Sequence, residues 1–185
     1  MNKSNSPQAL AVITGASSGI GKDMAKVLSE KGYETILVAR NEERLKEVAS
    51  SLPTKSHIFK ADLSNINECL ELYREIKSLN GDIQILINNA GFGLFGEFNE
   101  SNINTELNMI NTNITAMHVL TKLFLNDFVQ KDNGYILNVS SSAAFMPGPL
   151  MATYYSTKAY VLRLTESIAR ELKNNKSKVY IGALC

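Results

Sequence analysis

Short, nearly continuous apolar runs recur along this chain, each followed by a longer stretch whose apolar residues fall at helical spacing. The runs are ALAVI (9–13), ETILVA (34–39), SHIFKA (56–61), QILIN (84–88), YILNVS (135–140) and KVYIGAL (178–184). A run without polar alternation suits a strand covered on both faces. Strands that alternate with helices suit parallel βαβ units, and right-handed crossovers wind these into an α/β, doubly wound sheet. The helical stretches carry stripes to cover it: Ile20, Met24, Val27 and Leu28, with Gly32 as the stop; Leu45, Val48, Ala49 and Leu52, ended by Pro53; and Cys69, Leu72, Ile76 and Leu79. Two longer helices are expected at about 102–130 and 151–173. No repeat or low-complexity linker interrupts the pattern, so residues 1–185 read as a single domain.

Composition narrows the function classes. With 185 residues, 44% hydrophobic and 20% charged, the chain can bury a substantial core. A formal net charge of +1 gives no electrostatic footprint for nucleic acid or an anionic membrane. The polar start MNKSNSPQ lacks the apolar core of a secretory leader, and no run approaches the ~20 residues that span a bilayer, so a cytoplasmic location is expected. Two cysteines and two histidines suggest neither a disulfide framework nor a metal site; Cys69 reads as a small core residue.

The first strand runs into TGASSGIGKDMAKVL, where Gly15, Gly19 and Gly21 occupy the turn into a helix. Glycine lets backbone approach a pyrophosphate closely, and a helix N-terminus offers it free amides; Ser17 and Ser18 add hydroxyl donors. The spacing Gly-x3-Gly-x-Gly is neither the usual G-x-G-x-x-G nor a P-loop, but its place between strand and helix favours a nucleotide. The expected architecture is thus a Rossmann-like sheet in the order 3-2-1-4-5-6, with the ligand at the point where the order reverses. An acidic residue ending the second strand would hold a ribose 2′-hydroxyl. Here Ala39 stands there and Arg40 follows, and a guanidinium suits a 2′-phosphate, so NADP(H) is preferred over NAD(H).

Two segments place a tyrosine four residues before a lysine: YREIK (73–77) and YYSTK (154–158). On a helix that spacing puts both side chains on one face. A tyrosine ordinarily titrates near 10, and a neighbouring ammonium favours the phenolate, so such a pair can exchange a proton near neutrality. Spacing alone does not choose between the two.

In their order along the chain, TGASSGIG, DL (62–63), NNAG (88–91), NIT (113–115), SSS (140–142) and YYSTK resemble the short-chain dehydrogenase/reductase family, which includes 3-oxoacyl carrier-protein reductases and hydroxysteroid dehydrogenases. The resemblance implies an oxidoreductase that interconverts a carbonyl and an alcohol on a small molecule. It implies Gly15, Ser17, Ser18, Gly19, Ile20 and Gly21 around the pyrophosphate, Asp62 and Leu63 at the adenine, and Asn89, Ala90 and Gly91 beside the adenosine ribose. Tyr154 and Lys158 would touch the cofactor as well as act in catalysis. The catalytic serine lies thirteen residues before the tyrosine in the family, which selects Ser141, and Asn113 would sit at a helix break and hold a water leading to Lys158. Without the resemblance Asn113 reads as an ordinary helix-surface amide. Tyr73 and Lys77 then read as a helix surface pair, and Tyr155, Tyr160 and Tyr180 as packing or cleft-lining rings.

The same resemblance implies a lid and a seventh strand after KVYIGAL that this chain lacks, so it is expected to be C-terminally truncated relative to the family. An alternative reading follows, a non-catalytic cofactor-binding or self-associating fragment. A homodimer through the two long helices is the expected assembly, with no metal.

Overall fold

All six apolar runs form strands of one parallel sheet in a computed structural model of the chain, which describes residues 8–79 and 81–185. The polar start read above falls largely on residues 1–7, outside the described residues. The strands are β1 (Ala9–Thr14), β2 (Glu34–Ala39), β3 (Ser56–Lys60), β4 (Asp82–Asn88), β5 (Tyr135–Val139) and β6 (Tyr180–Leu184), in the order 3-2-1-4-5-6. β6 begins two residues later than expected because the Lys178 amide donates to Asp132 Oδ1 at 2.8 Å. The helices are α1 (Gly19–Glu30), α2 (Glu42–Ser50), α3 (Ile66–Ser78), α4 (Ile103–Ile110), α5 (Met117–Gln130) and α6 (Ala152–Asn174). A π-helical segment, Asn111–Ala116, joins α4 to α5, and a 3-10 turn, Ser142–Phe145, follows β5.

Alternate residues of the strands feed two cores. Leu10, Val12, Ile36, Val38 and Leu86 pack with Leu72, Ile76, Leu120, Phe124 and Phe128 from α3 and α5. Ala11, Ile13, Leu37 and Ile87 pack with Ala25, Leu45 and Val48 from α1 and α2. Cys69 is fully buried, and burial pushes its thiol up to about 11, which suits an inert core residue. No helix among the described residues is long and apolar enough to cross a membrane, and no described group of three or more His, Cys, Asp or Glu could hold a metal.

Two expectations about helix faces are corrected. α1 packs Met24 and Leu28 on the second core as expected, but it buries Gly21, Ala25 and Ser29 most deeply, and Ile20 and Val27 are half exposed. The helix lies so close to the β1 turn that a Cβ on Gly21 would collide with Gly15 O and Asn89 Nδ2, so the small residues face inward. Tyr73 and Lys77 are not a surface pair within one helix. The Tyr73 hydroxyl donates to Asp127 Oδ2 on α5 at 2.9 Å, and Lys77 Nζ lies 3.0 Å from that oxygen. Burial and then that carboxylate push the Tyr73 hydroxyl up to about 12, so this tyrosine holds its proton.

Candidate active site

The strand order reverses between β1 and β4, and their C-terminal ends open into a cleft of about 1000 Å³. Its lining includes every candidate residue except Gly19, Gly21 and Asn113. Of the three exceptions, Gly19 starts α1 and Gly21 and Asn113 support the cleft from beneath.

At the centre is the turn from β1 to α1. Gly15 adopts φ +66°, and a Cβ there would come within 2.9 Å of the Ala90 backbone. The turn is fastened to β4: the Asn89 amide side chain donates to Thr14 O at 3.1 Å and to Gly15 O at 3.2 Å, and Thr14 Oγ1 accepts from the Asn89 and Ala90 amides. Thr14 and Asn89 thus hold the loop in shape, a role sequence reading did not give them. α2, α3 and α4 are each capped by an asparagine side chain, but Ser18 makes no such bond and the first turn of α1 holds no acid. The α1 amides therefore face the cleft without a side-chain cap and with the positive end of the helix dipole behind them.

One end of the cleft is lined by Ala39, Arg40, Asn41 and Arg44. The Asn41 side chain accepts from the Arg44 backbone amide at 2.9 Å, so the α2 cap fixes the backbone that carries a second arginine four residues after the first. Arg44 was not singled out from the sequence; its spacing of four from Arg40 was the available signal. Asp62 and Leu63 line the adjoining wall, and Asp62 Oδ1 accepts from both the Ser64 amide and its hydroxyl.

At the opposite end lie Ser141, Tyr154 and Lys158. Lys158 is 6% exposed and donates from Nζ to Val139 O at 2.8 Å; burial holds its ammonium below the usual lysine range. Nζ stands 5.7 Å from the centre of the Tyr154 ring, as the shared helix face predicts. The three serines are separated by their bonds. Ser140 is buried and spends its hydroxyl proton on Lys158 O at 2.9 Å, whereas Ser141 Oγ accepts from the Ala143 amide at 3.1 Å and keeps its proton to donate.

Asn113 is 2% exposed, which corrects its reading as a surface amide. It sits in the π-helical segment, a kind of insertion that redirects a side chain out of helical register. Its Oδ1 accepts from the Phe92 amide at 3.1 Å, and its Nδ2 donates to Phe92 O at 2.9 Å and to Thr157 Oγ1 at 3.1 Å. Thr157 in turn donates to Tyr154 O at 2.7 Å. Asn113 thus ties the loop after β4 to the turn of α6 that carries Tyr154. Beneath this region a buried polar chain, Thr121, Asn88, Asn138 and Thr165, links α5, β4, β5 and α6.

Tyr155 packs over Gly148. Tyr160 instead bonds His118 Nδ1 at 2.8 Å on the outside of α5, and Tyr180 is 60% exposed beside Tyr135, so neither ring lines the cleft.

The model of the short chain dehydrogenase family matches residues 9–185. An uncharacterized oxidoreductase of Staphylococcus epidermidis is 36% identical over 171 residues, which is 92% of this chain and 74% of the relative. Among solved structures, a metagenomic short-chain oxidoreductase in complex with NADP matches at a TM-score of 0.89 and 29% identity, over 98% of this chain and 82% of the other. A short chain dehydrogenase/reductase of Burkholderia phymatum in complex with NAD matches at 0.90 and 27% identity, over 97% and 65%. Sheet order, the β1–α1 turn and the match over residues 9–185 agree, and the chain belongs to the short-chain dehydrogenase family of oxidoreductases.

Proposed function

We propose that the chain is an NADP(H)-dependent oxidoreductase that interconverts a carbonyl and an alcohol, with Tyr154 as the acid or base. The observation that carries this reading is a single cleft with two arginines at one end, the α1 amides in the middle, and a tyrosine beside a buried ammonium at the other. The residues fit a dinucleotide: Gly15 and Gly21 let the β1 turn and α1 pack closely on Asn89 and Ala90, the α1 amides suit a pyrophosphate, and Asp62 and Leu63 suit an adenine. Arg40 and Arg44 favour a 2′-phosphate, since no acid stands at Ala39 to bind a 2′-hydroxyl. Relatives of this fold have been crystallised with NADP and with NAD, so the arginines carry the preference.

When bound, the dinucleotide supplies the hydride. Toward reduction, Tyr154 gives its proton to the carbonyl oxygen, and Ser141 donates a hydrogen bond to that oxygen as negative charge gathers on it. The Lys158 ammonium, held by Val139 O, stabilises the phenolate left behind. Asn113 is a positioning residue, acting through Phe92 and through Thr157 on Tyr154. Toward oxidation the same groups run in reverse, with Tyr154 taking the alcohol proton.

The same reading includes a homodimer in the cytoplasm, joined through the outer faces of α4, α5 and α6, where Ile103, Leu107, Val129 and Tyr160 are exposed. Light scattering should give a dimer; a monomer would count against it. The function is tested by titrating the chain with NADPH and NADH and assaying a panel of ketones and aldehydes for NADPH consumption. Tight NADPH binding with carbonyl-dependent oxidation is expected. Failure to bind either dinucleotide would defeat the reading, and binding without turnover would favour a non-catalytic fragment.

A further inference from the structure

The loops at the catalytic end of the cleft expose a cluster of large apolar side chains. Phe95 and Phe98, at 73% and 68%, are the most exposed large apolar residues among those described. Phe145, Met146 and Leu150 are exposed on the segment after β5. The two segments form one lip, because the Gly96 amide donates to Leu150 O at 2.8 Å.

That lip adjoins the reacting end of the cleft. Gly93 and Met151 line the cleft wall, and a Cβ on Gly93 would lie 3.1 Å from Met151 Cε and 3.3 Å from Tyr154 Cδ2. A molecule that presents a carbonyl to Tyr154 thus has this lip beside it. In residues 92–98 and 142–151 the only charged side chain is Glu97, and there is no lysine or arginine to receive a carboxylate or phosphate.

Resting on the reading of the cleft as a carbonyl–alcohol site, we propose that the lip receives the apolar body of an uncharged ketone or secondary alcohol. It selects against substrates that carry a carboxylate, a phosphate or a sugar near the carbonyl. Exposed apolar area of this kind is unfavourable in water unless something covers it, and an alkyl or aromatic group gains in proportion to the area it buries there.

The test is the affinity of straight-chain secondary alcohols, from 2-butanol to 2-decanol, for the 185-residue chain, measured by calorimetry with and without NADP+. The dissociation constant should fall up to about fourfold for each added methylene that is buried on the lip. Alcohols of equal length ending in a carboxylate should bind at least about tenfold more weakly, since that charge is desolvated without a partner. The double variant Phe95→Ser/Phe145→Ser should lose most of the length dependence while its affinity for NADP+ stays unchanged. Both side chains are exposed, so its melting temperature should stay close to that of the parent chain; if it does not, Phe95→Ser alone serves.

An affinity independent of chain length, or a length dependence that survives the substitutions, would overturn the proposal. So would a carboxylate-ended alcohol bound as tightly as its neutral counterpart. A variant that changes the oligomeric state without touching the alcohol series would mean that a second copy covers the lip. Failure to bind NADP+ while the alcohol series keeps its slope would count against the cofactor reading and leave the lip standing.

Discussion

Replacing Arg40 with glutamate tests the cofactor end of the cleft. Arg40 follows Ala39 at the end of β2 and shares the wall with Arg44, whose amide is fixed by the Asn41 cap. A hydrogen bond to a charged group is worth about 1.5–3 kcal/mol. Arg40 is exposed, which puts its share near the lower end of that range. Glutamate removes the bond and sets a carboxylate against a dianionic phosphate, so about 2–3 kcal/mol is expected, a rise of about 30- to 150-fold in the NADPH dissociation constant. NADH lacks the 2′-phosphate, and its constant should change by less than about threefold. Arg44→Ala should cost NADPH about 5- to 10-fold. The two substitutions should not add if both arginines meet one phosphate, as proposed. The assay is fluorescence titration of each dinucleotide at two salt concentrations, and the parent chain's preference for NADPH should narrow at the higher one. Equal weakening of NADPH and NADH by Arg40→Glu would refute the 2′-phosphate assignment.

Three further outcomes follow from the geometry. Gly21→Ala would drive a methyl into Gly15 O and Asn89 Nδ2, costing about 1–3 kcal/mol; urea unfolding should show this, and an unchanged midpoint would contradict the close packing of α1. Asn113→Ala strands the Phe92 amide and carbonyl and a bond to Thr157, so a loss of about 2–4 kcal/mol is expected in the same assay together with a lower kcat, and a change in neither would contradict its clamping role. Lys158→Met gives the pH test: the folded lysine's pKa is depressed by burial below the usual 10.5, so between that depressed value and 10.5 the unfolded chain binds more protons and the parent's stability rises with pH. The stability of Lys158→Met relative to the parent should therefore fall as pH rises toward 10.5, measured by denaturant unfolding across the range, and a difference that is flat or opposite in sign would contradict the buried ammonium.

The sheet was legible in the sequence because its strands are apolar runs that need no partner to be recognised. Their order followed from the glycine-rich turn after the first strand, which marks a Rossmann-like sheet. The inward face of α1 was read only in part: Met24 and Leu28 pack on the core, but residues 21, 25 and 29 are small, and their selection by the closeness of the β1 turn is invisible to a hydrophobic count. Asn113 was placed at a helix break only by the resemblance, and pattern alone took it for a surface amide: a π-helical insertion sets its direction, and its partners Phe92 and Thr157 lie 21 and 44 residues away. The two Tyr-x3-Lys segments could not be told apart by spacing. Tyr73 and Lys77 meet the carboxylate of Asp127, which fixes the tyrosine's proton, whereas Lys158 faces a strand-end carbonyl and no acid is bonded to it. Ser141 could be chosen only by the family's spacing, and the structure adds an independent distinction, since Ser140 has already spent its proton on Lys158 O.

The central claim is that Tyr154 moves the proton, and the most direct measurement is carbonyl-dependent NADPH oxidation by Tyr154→Phe beside the parent chain. Phenylalanine keeps the ring and removes only the hydroxyl. The account predicts a fall in kcat of at least about 100-fold, with NADPH affinity within about twofold of the parent. A Tyr154→Phe chain that reduces the same ketone at the parent rate would contradict it.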